Sequence, residues 1–343
     1  MTIDERGIER VVQLLRAEPG FERAELAGAP QPLSGGFWAS MSVVRLAGVA
    51  PPADKLVLRL MPDPALAVKE IAIQREIVRQ GFPAPTIRLS GSTDAGLGSA
   101  FMLMDLAPGA PVLAGLDGIA AVRGLPALAR RLAATLGQAT AALHALDPAP
   151  LRHALAGPGV MAPSDPAGFL ASLTAATDRL GDRSLSSAAS WLAAHPPRPS
   201  RQVIAHGDLH PFNLLVDQRS WTLLDWTSAL IADPAYDLAF TTLMLRHPPL
   251  TAPGWLRPPI AAAGAALARQ FRRAYRRHGG TISDQRALDW YTSLHALRIL
   301  IELRDWRQSA ASPDHATHPW IAAGPVAAAV LSQTTRTAVA PLT

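Results

Sequence analysis

Three short β-prone runs at 203–205, 214–216 and 221–224 interrupt a half-chain whose apolar residues otherwise recur at helical spacing. Such a chain has to fold a small strand assembly into a mainly helical body. The loops between those strands then carry the polar residues that the runs enclose. Asp217-Gln218-Arg219-Ser220 reads as the hairpin turn between the second and third runs. Between the first and second lies His206-Gly207-Asp208-Leu209-His210-Pro211-Phe212-Asn213, with a carboxylate and a carboxamide five residues apart. Asp225 follows the third run, at a strand terminus that can aim its carboxylate into a cleft.

This set of residue types suits phosphoryl transfer. That reaction asks for a carboxylate to orient or deprotonate the attacking hydroxyl, and for metal ions to neutralise phosphate oxygens. One carboxylate and one carboxamide, with phosphate oxygens and water completing an octahedron, match the usual holding of magnesium. On this reading Asp208 is the base, and Asn213 and Asp225 are Mg2+ ligands. Asp and Asn in loops commonly serve only to form turns. Against that, Asn213 is the sole asparagine of the chain and falls where a ligand is required.

The remainder sets the frame. With 343 residues, 49% of them hydrophobic, the chain is long and apolar enough for two lobes sharing a large interior. Residues 3–17 read as a helix, 41–46 and 55–61 as antiparallel strands, 65–80 as a helix and 100–106 as a strand. Helical patterns follow at 125–146, 169–194, 261–278 and 283–308, and the last twenty residues read as weakly ordered. The absence of cysteine excludes disulfides, thiolate metal sites and a Cys nucleophile. Neither a signal peptide nor a run of roughly 20 apolar residues is evident, so a cytoplasmic protein without membrane contact is expected. The formal charge is +5, but the arginines are spread along the chain, so no nucleic-acid partner is expected.

The 206–213 segment resembles the catalytic loop of the aminoglycoside phosphotransferase and choline kinase family, relatives of the protein kinases. Its spacing is that of the kinase H-R-D-L-x-x-x-N pattern, and Leu224-Asp225-Trp226 stands where those enzymes have D-F-G. The resemblance implies a two-lobed, protein-kinase-like α+β fold. The small N-terminal lobe, 1–106, carries an antiparallel sheet, and 107–343 forms a larger helical lobe. It also implies that Ser34-Gly35-Gly36-Phe37 covers phosphate and that Arg59, where protein kinases carry lysine, grips the α- and β-phosphates. Glu70 is the partner expected for Arg59, with Glu76 as the fallback. The hinge at 102–106, including Met104 and Leu106, would bond the nucleotide base through its backbone, and Asp105 would cap a turn. In Asp233-Pro234-Ala235-Tyr236-Asp237-Leu238-Ala239, Asp237 would brace the catalytic loop and Asp233 would cap a helix, while His206 and His210 would order the loop.

Asp225 leads to Asp233-Pro234 within eight residues, which leaves no room for a peptide platform, so the expected acceptor is a small hydroxyl compound. From Trp255 to Thr343 there are eleven arginines against five acids, with Trp255, Trp290, Trp306 and Trp320 among them, which leans toward an uncharged or amphipathic acceptor. Asp284, Asp289, Glu302 and Asp305 are open to a pocket-lining role. A macrolide-like or aminoglycoside antibiotic and a metabolite all stay open as acceptors, as do ATP and GTP as donors. The chain is expected to act as a monomer or homodimer. The alternative is a pseudokinase-type protein that binds nucleotide without turnover.

Overall fold

The computed structural model describes residues 5–33, 40–93, 98–111, 118–157, 159–198, 200–218, 220–248, 255, 257–282, 284–308 and 320–340. The elements in chain order begin with α1 (Glu5–Leu15), β1 (Glu25–Leu26), β2 (Gln31–Pro32), β3 (Ser40–Ala47), β4 (Lys55–Met61), α2 (Pro64–Arg79), β5 (Ile87–Gly91), β6 (Ala100–Asp105) and β7 (Ala110–Pro111). Then come α3 (Gly118–His144), α4 (Pro148–Leu155), α5 (Pro166–Leu180), α6 (Arg183–Ala194), β8 (Val203–Ala205) and a 3-10 turn at Pro211–Asn213. They end with β9 (Leu214–Asp217), β10 (Ser220–Leu223), β11 (Leu230–Ala232), α7 (Ala235–Arg246), α8 (Arg257–Arg277), α9 (Gln285–Gln308) and α10 (Trp320–Thr335). The chain divides into two compact units. One is 1–110 with 149–162 and 215–227, and the other is 111–148 with 163–214 and 228–343.

In the first unit β1-β3-β4-β6-β5 form an antiparallel sheet, with β2 also paired to β3. The register sets Val43 opposite Val57 and Leu58 opposite Leu103. Alternation along β4 decides what each face does. Leu56, Leu58 and Leu60 pack with Ile8, Val11, Val12 and Leu15 of α1, whereas Val57 and Met61 pack with Ala67 of α2. Arg59 shares the parity of Val57 and Met61 and so points to the α2 side. Each fully buried aliphatic side chain contributes about 1.5–3 kcal/mol. Asp63 starts α2 by accepting from the Ala65 and Leu66 N–H groups at 2.9 and 3.2 Å, with Pro64 at the first helical position. The later segment joins this unit through Trp221 and Trp226, which meet Phe82 edge-on at 5.4 and 5.7 Å, and through a Leu223 N–H bond to the Pro83 carbonyl.

The second unit is helical around a two-stranded core. β8 and β11 pair antiparallel, Ile204 opposite Ile231, with all six residues buried. α3 packs closely on α8 at Gly137, where a Cβ would stand 2.6 Å from that of Ala274. α7 is buried along nearly its whole length, and α9 packs against it. One expectation is corrected: the C-terminus is not weakly ordered throughout. Helix α10 buries Trp320, Ala323, Gly324, Ala327, Ala328 and Leu331, a 3- and 4-residue spacing that faces α9. Burial of that stripe outweighs Pro325 inside the helix, a cost of about 3 kcal/mol. Among the described residues no helix is long and apolar enough to cross a membrane.

Candidate active site

The loop that follows β8 is held from below by a buried carboxylate. Asp237, in the first turn of α7, accepts the His206 and Gly207 N–H groups at 2.9 and 2.6 Å. Its position is fixed in turn by His144 Nε2 at 3.0 Å, while His144 Nδ1 lies 2.8 Å from the Tyr275 hydroxyl. Burial alone would raise the Asp237 carboxyl, but His144, His206 and the Gly207 N–H outweigh it and hold it below the usual carboxylate range. Gly207 turns the chain with φ +74°, and a Cβ there would lie 2.5 Å from the Ser228 carbonyl and 2.6 Å from the Tyr236 ring. Thr241 anchors the Leu209 carbonyl at 2.9 Å.

Asp208 therefore leaves a fixed peptide. Its N–H donates to His206 Nδ1 at 3.2 Å, and His210 Nε2 stands 3.5 Å from Oδ2. Burial would raise the Asp208 carboxyl, yet His210, Arg298 and His206 overcome this and keep it far below the ordinary range, hence ionised. Its Oδ1 is buried with no hydrogen-bond partner among the described residues. Asn213 ends the 3-10 turn, and its Nδ2 donates to the Asp208 carbonyl at 2.9 Å. With the amide nitrogen committed there, the amide oxygen is the atom left to meet a cation. His210 both caps the turn, accepting from the Phe212 N–H at 3.2 Å, and flanks Asn213.

In the first unit a second group of polar residues converges on Arg59. Its Nη2 lies 3.3 Å from Glu70 Oε1, 3.3 Å from Asp225 Oδ1 and 3.0 Å from Thr227 Oγ1. The Thr227 hydroxyl lies 2.9 Å from Glu70 Oε2 and 2.8 Å from Asp225 Oδ1, so its single proton is shared between the two acids. Burial raises the Glu70 carboxyl against the pull of Arg59, with Asp225 adding to the rise. The guanidinium, by contrast, is held charged, Glu70 and Asp225 outweighing its own burial. Asp225 adopts φ +63°, a left-handed conformation that a non-glycine residue enters at a cost and that recurs at functional sites. Asn213, in the second unit, and Asp225, in the first, each carry a hard oxygen donor of the type that magnesium prefers.

Of the paired alternatives for Arg59, Glu70 is the one that reaches it, because it lies three residues from both Ala67 and Ile73 on the buried face of α2. Glu76 is instead engaged with Arg79 and Gln80 at the surface. Asp105 does not cap a turn but forms a bidentate pair with Arg88 at 2.7 and 2.8 Å, since parity at the end of β6 aims it along the sheet surface. Met104 is buried in β6 opposite Val57, and the half-exposed Leu106 sends its N–H to the Lys55 carbonyl at 3.4 Å. Ser34, Gly35 and Gly36, with Phe37, lie outside the described residues. Asp233 accepts the Ala235 N–H at 2.6 Å and so caps α7.

The acids and tryptophans expected near an acceptor are mostly spoken for. Asp284 caps α9, Asp289 accepts from Gln285, and Glu302 pairs with Arg298. Trp290, Trp306 and Trp320 are core residues, Trp290 donating to the Leu192 carbonyl and Trp306 stacked with Trp320, while Trp255 is exposed. The lean toward an amphipathic acceptor accordingly loses its aromatic support. Sequence reasoning missed Thr227 and Arg298. The second stood in plain view, as an arginine inside the apolar run 296–301.

Comparisons with known proteins bear on the family and the fold. The phosphotransferase enzyme family matches residues 31–291, more than half of the chain. A candidate aminoglycoside phosphotransferase from Ralstonia eutropha JMP134 shares the fold over 98% of both chains, with TM-score 0.65 and 19% identity. A choline/ethanolamine kinase family protein from Mesorhizobium loti follows at TM-score 0.56 and 16% identity, over 96% of this chain and 95% of its own. The GDP and kanamycin complex of an aminoglycoside 2''-phosphotransferase matches at TM-score 0.55 and 18% identity, over 95% of this chain and 98% of its own. At these identities the likeness is one of fold. Acyl-CoA dehydrogenase family member 10 of Mus musculus is 26% identical over 206 residues, 56% of this chain, and the chain spans less than a fifth of the length of the curated relatives it matches. On the extent of the family match, joined to an α+β architecture shared with aminoglycoside phosphotransferases and choline kinases, this chain belongs to the phosphotransferase enzyme family.

Proposed function

We propose that the chain moves the γ-phosphoryl group of ATP or GTP to a hydroxyl of a small molecule. The observation that carries this reading is Asp208: an ionised carboxylate on a braced loop, one buried oxygen uncommitted, with Asn213 tied to its own carbonyl. Asp208 accepts the acceptor hydroxyl proton as that oxygen bonds to the γ-phosphorus. The bond from the γ-phosphorus to the β–γ bridging oxygen breaks, and the nucleoside diphosphate leaves with that electron pair. Arg59, oriented by Glu70, binds the α- and β-phosphates as a fork donor. Asn213 and Asp225 would hold magnesium, which when bound neutralises phosphate charge. The lobe division at 106/107 and the base contacts of Met104 and Leu106 belong to this same reading.

The structural relatives include proteins solved with GDP and kanamycin and with ADP and spectinomycin, which supports a purine nucleotide donor and an antibiotic-like acceptor, while the choline/ethanolamine kinase relative supports an amino alcohol. The test is release of ADP or GDP from purified protein with Mg2+, either triphosphate and a panel of aminoglycosides, macrolides, amino alcohols and sugars. Acceptor-stimulated release that disappears in Asp208→Asn supports the reading. Magnesium-dependent nucleotide binding without transfer to any panel member favours the pseudokinase alternative, and no nucleotide binding at all overturns both.

A further inference from the structure

Resting on the reading of Asp208 as proton acceptor, we infer that Arg298 of α9 is the positioning residue of that carboxylate, fixing the Gly207–Asp208 peptide without hydrogen-bonding the carboxylate itself. The guanidinium is buried and gripped on three sides. Its Nη1 donates to the Gly207 carbonyl at 3.2 Å, its Nε pairs with Glu302 Oε1 one turn along the same helix at 3.1 Å, and its carbon sits 4.8 Å over the ring of Trp320 from α10. The same Nη1 lies 4.0 Å from Asp208 Oδ1, which is beyond hydrogen-bond reach. A guanidinium free to rotate would close on the carboxylate as a bidentate fork and occupy both oxygens. Held by Glu302 and Trp320, it instead places positive charge beside Oδ1 without filling it.

A purely structural role, an arginine kept only to satisfy Glu302, leaves the Gly207 contact unexplained. Asp237 grips the N–H groups of His206 and Gly207, which belong to the two peptides before the φ +74° turn at Gly207, so the Gly207 carbonyl lies in the next peptide, which Asp237 does not hold. Arg298 bonds it instead. The loop is thus held from α7 through the two peptides before Gly207, while the Gly207–Asp208 peptide itself is held by Arg298 of α9 at its carbonyl and by His206 Nδ1 at its N–H, and the direction of the Asp208 side chain follows from that plane. A lysine in the same place has one ammonium centre and cannot serve Gly207, Glu302 and Trp320 together.

The experiment uses the full chain with Arg298→Met and Arg298→Lys. Hydrogen exchange is read on the 206–213 segment, and kcat and nucleotide KM are measured with the acceptor found in the panel. Arg298→Met is expected to speed loop exchange by about tenfold while α3 and α8 stay protected. Its kcat is expected to fall about 100-fold with nucleotide KM within about twofold, the signature of a displaced rather than a missing group. Arg298→Lys is expected to fall between, with about a tenfold loss of kcat, and it carries the test alone if the methionine variant does not fold. Loop exchange as in the wild type, exchange raised equally across α3 and α8, or wild-type kcat in either variant overturns the inference. If the wild-type protein transfers no phosphoryl group, the functional reading fails on its own. The exchange arm still decides whether Arg298 fixes the Gly207–Asp208 peptide.

Discussion

Gly207 and Asp208 are adjacent and depend on the chain in opposite ways, one through its backbone and the other through its side chain. Gly207→Ala forces a Cβ against the Ser228 carbonyl and the Tyr236 ring from a positive φ, and neither neighbour is the flexible end of a long side chain. We expect at least about 3 kcal/mol of lost stability, read as a lower urea midpoint with unchanged slope. A near-wild-type midpoint would mean that the turn relaxes. Asp208→Asn is nearly isosteric and keeps the N–H bond to His206, so we expect kcat to fall about 10²–10⁴-fold with Mg·nucleotide affinity intact. Asp225→Asn should weaken Mg·nucleotide binding itself, seen by titration calorimetry, and equal affinity in the two variants would mean that Asp225 does not hold the metal. At this scale Asp208, Asn213 and Asp225 could be put forward as candidates because their spacing within one short segment marks them. Thr227 and Arg298 could not, because what marks them is a partner 157 and 91 residues away in sequence, Glu70 and Gly207 respectively.

Between elements, the β4–α2 pairing tests whether Arg59 and Glu70 act as one unit. Both are buried, and removing the arginine strands a carboxylate that burial already penalises. Breaking a buried pair by removing one partner costs about 3–5 kcal/mol, whereas replacing both with apolar groups is often near neutral. Arg59→Met should therefore lower Tm sharply, and adding Glu70→Met should recover most of it while leaving nucleotide binding weak. A double variant no more stable than the single would show that Glu70 is satisfied by Thr227 without Arg59. Elements were readable where one face decides the pattern: β3, β4 and α2 alternate or repeat so regularly that their ends fall within about two residues of expectation. Helix α10 was missed because the stripe that offsets Pro325 within it gains its energy only against α9.

Over the whole molecule, the family was readable from one loop, but the charge balance was not, since eleven arginines in the last 89 residues say nothing of which are buried. Arg298 and its partner Glu302 make that difference measurable as a pH dependence of global stability. Burial is the leading influence on the Glu302 carboxyl and, against the opposing pull of Arg298, pushes it up to about 7 from an ordinary 4.5. Between those two values the folded protein keeps a proton that the unfolded chain has released. The folded state then binds more protons, and its stability falls as pH rises across the window and levels off above about 7. Glu302→Gln keeps the shape and an acceptor oxygen for Arg298 but removes the titration. We expect the wild type to lose Tm relative to this variant between pH 5 and about 7.5, with the difference constant at higher pH. Parallel Tm curves for the two proteins across that range would mean that Arg298 keeps Glu302 ionised at all of these pH values, so that the pair is a plain buried salt bridge.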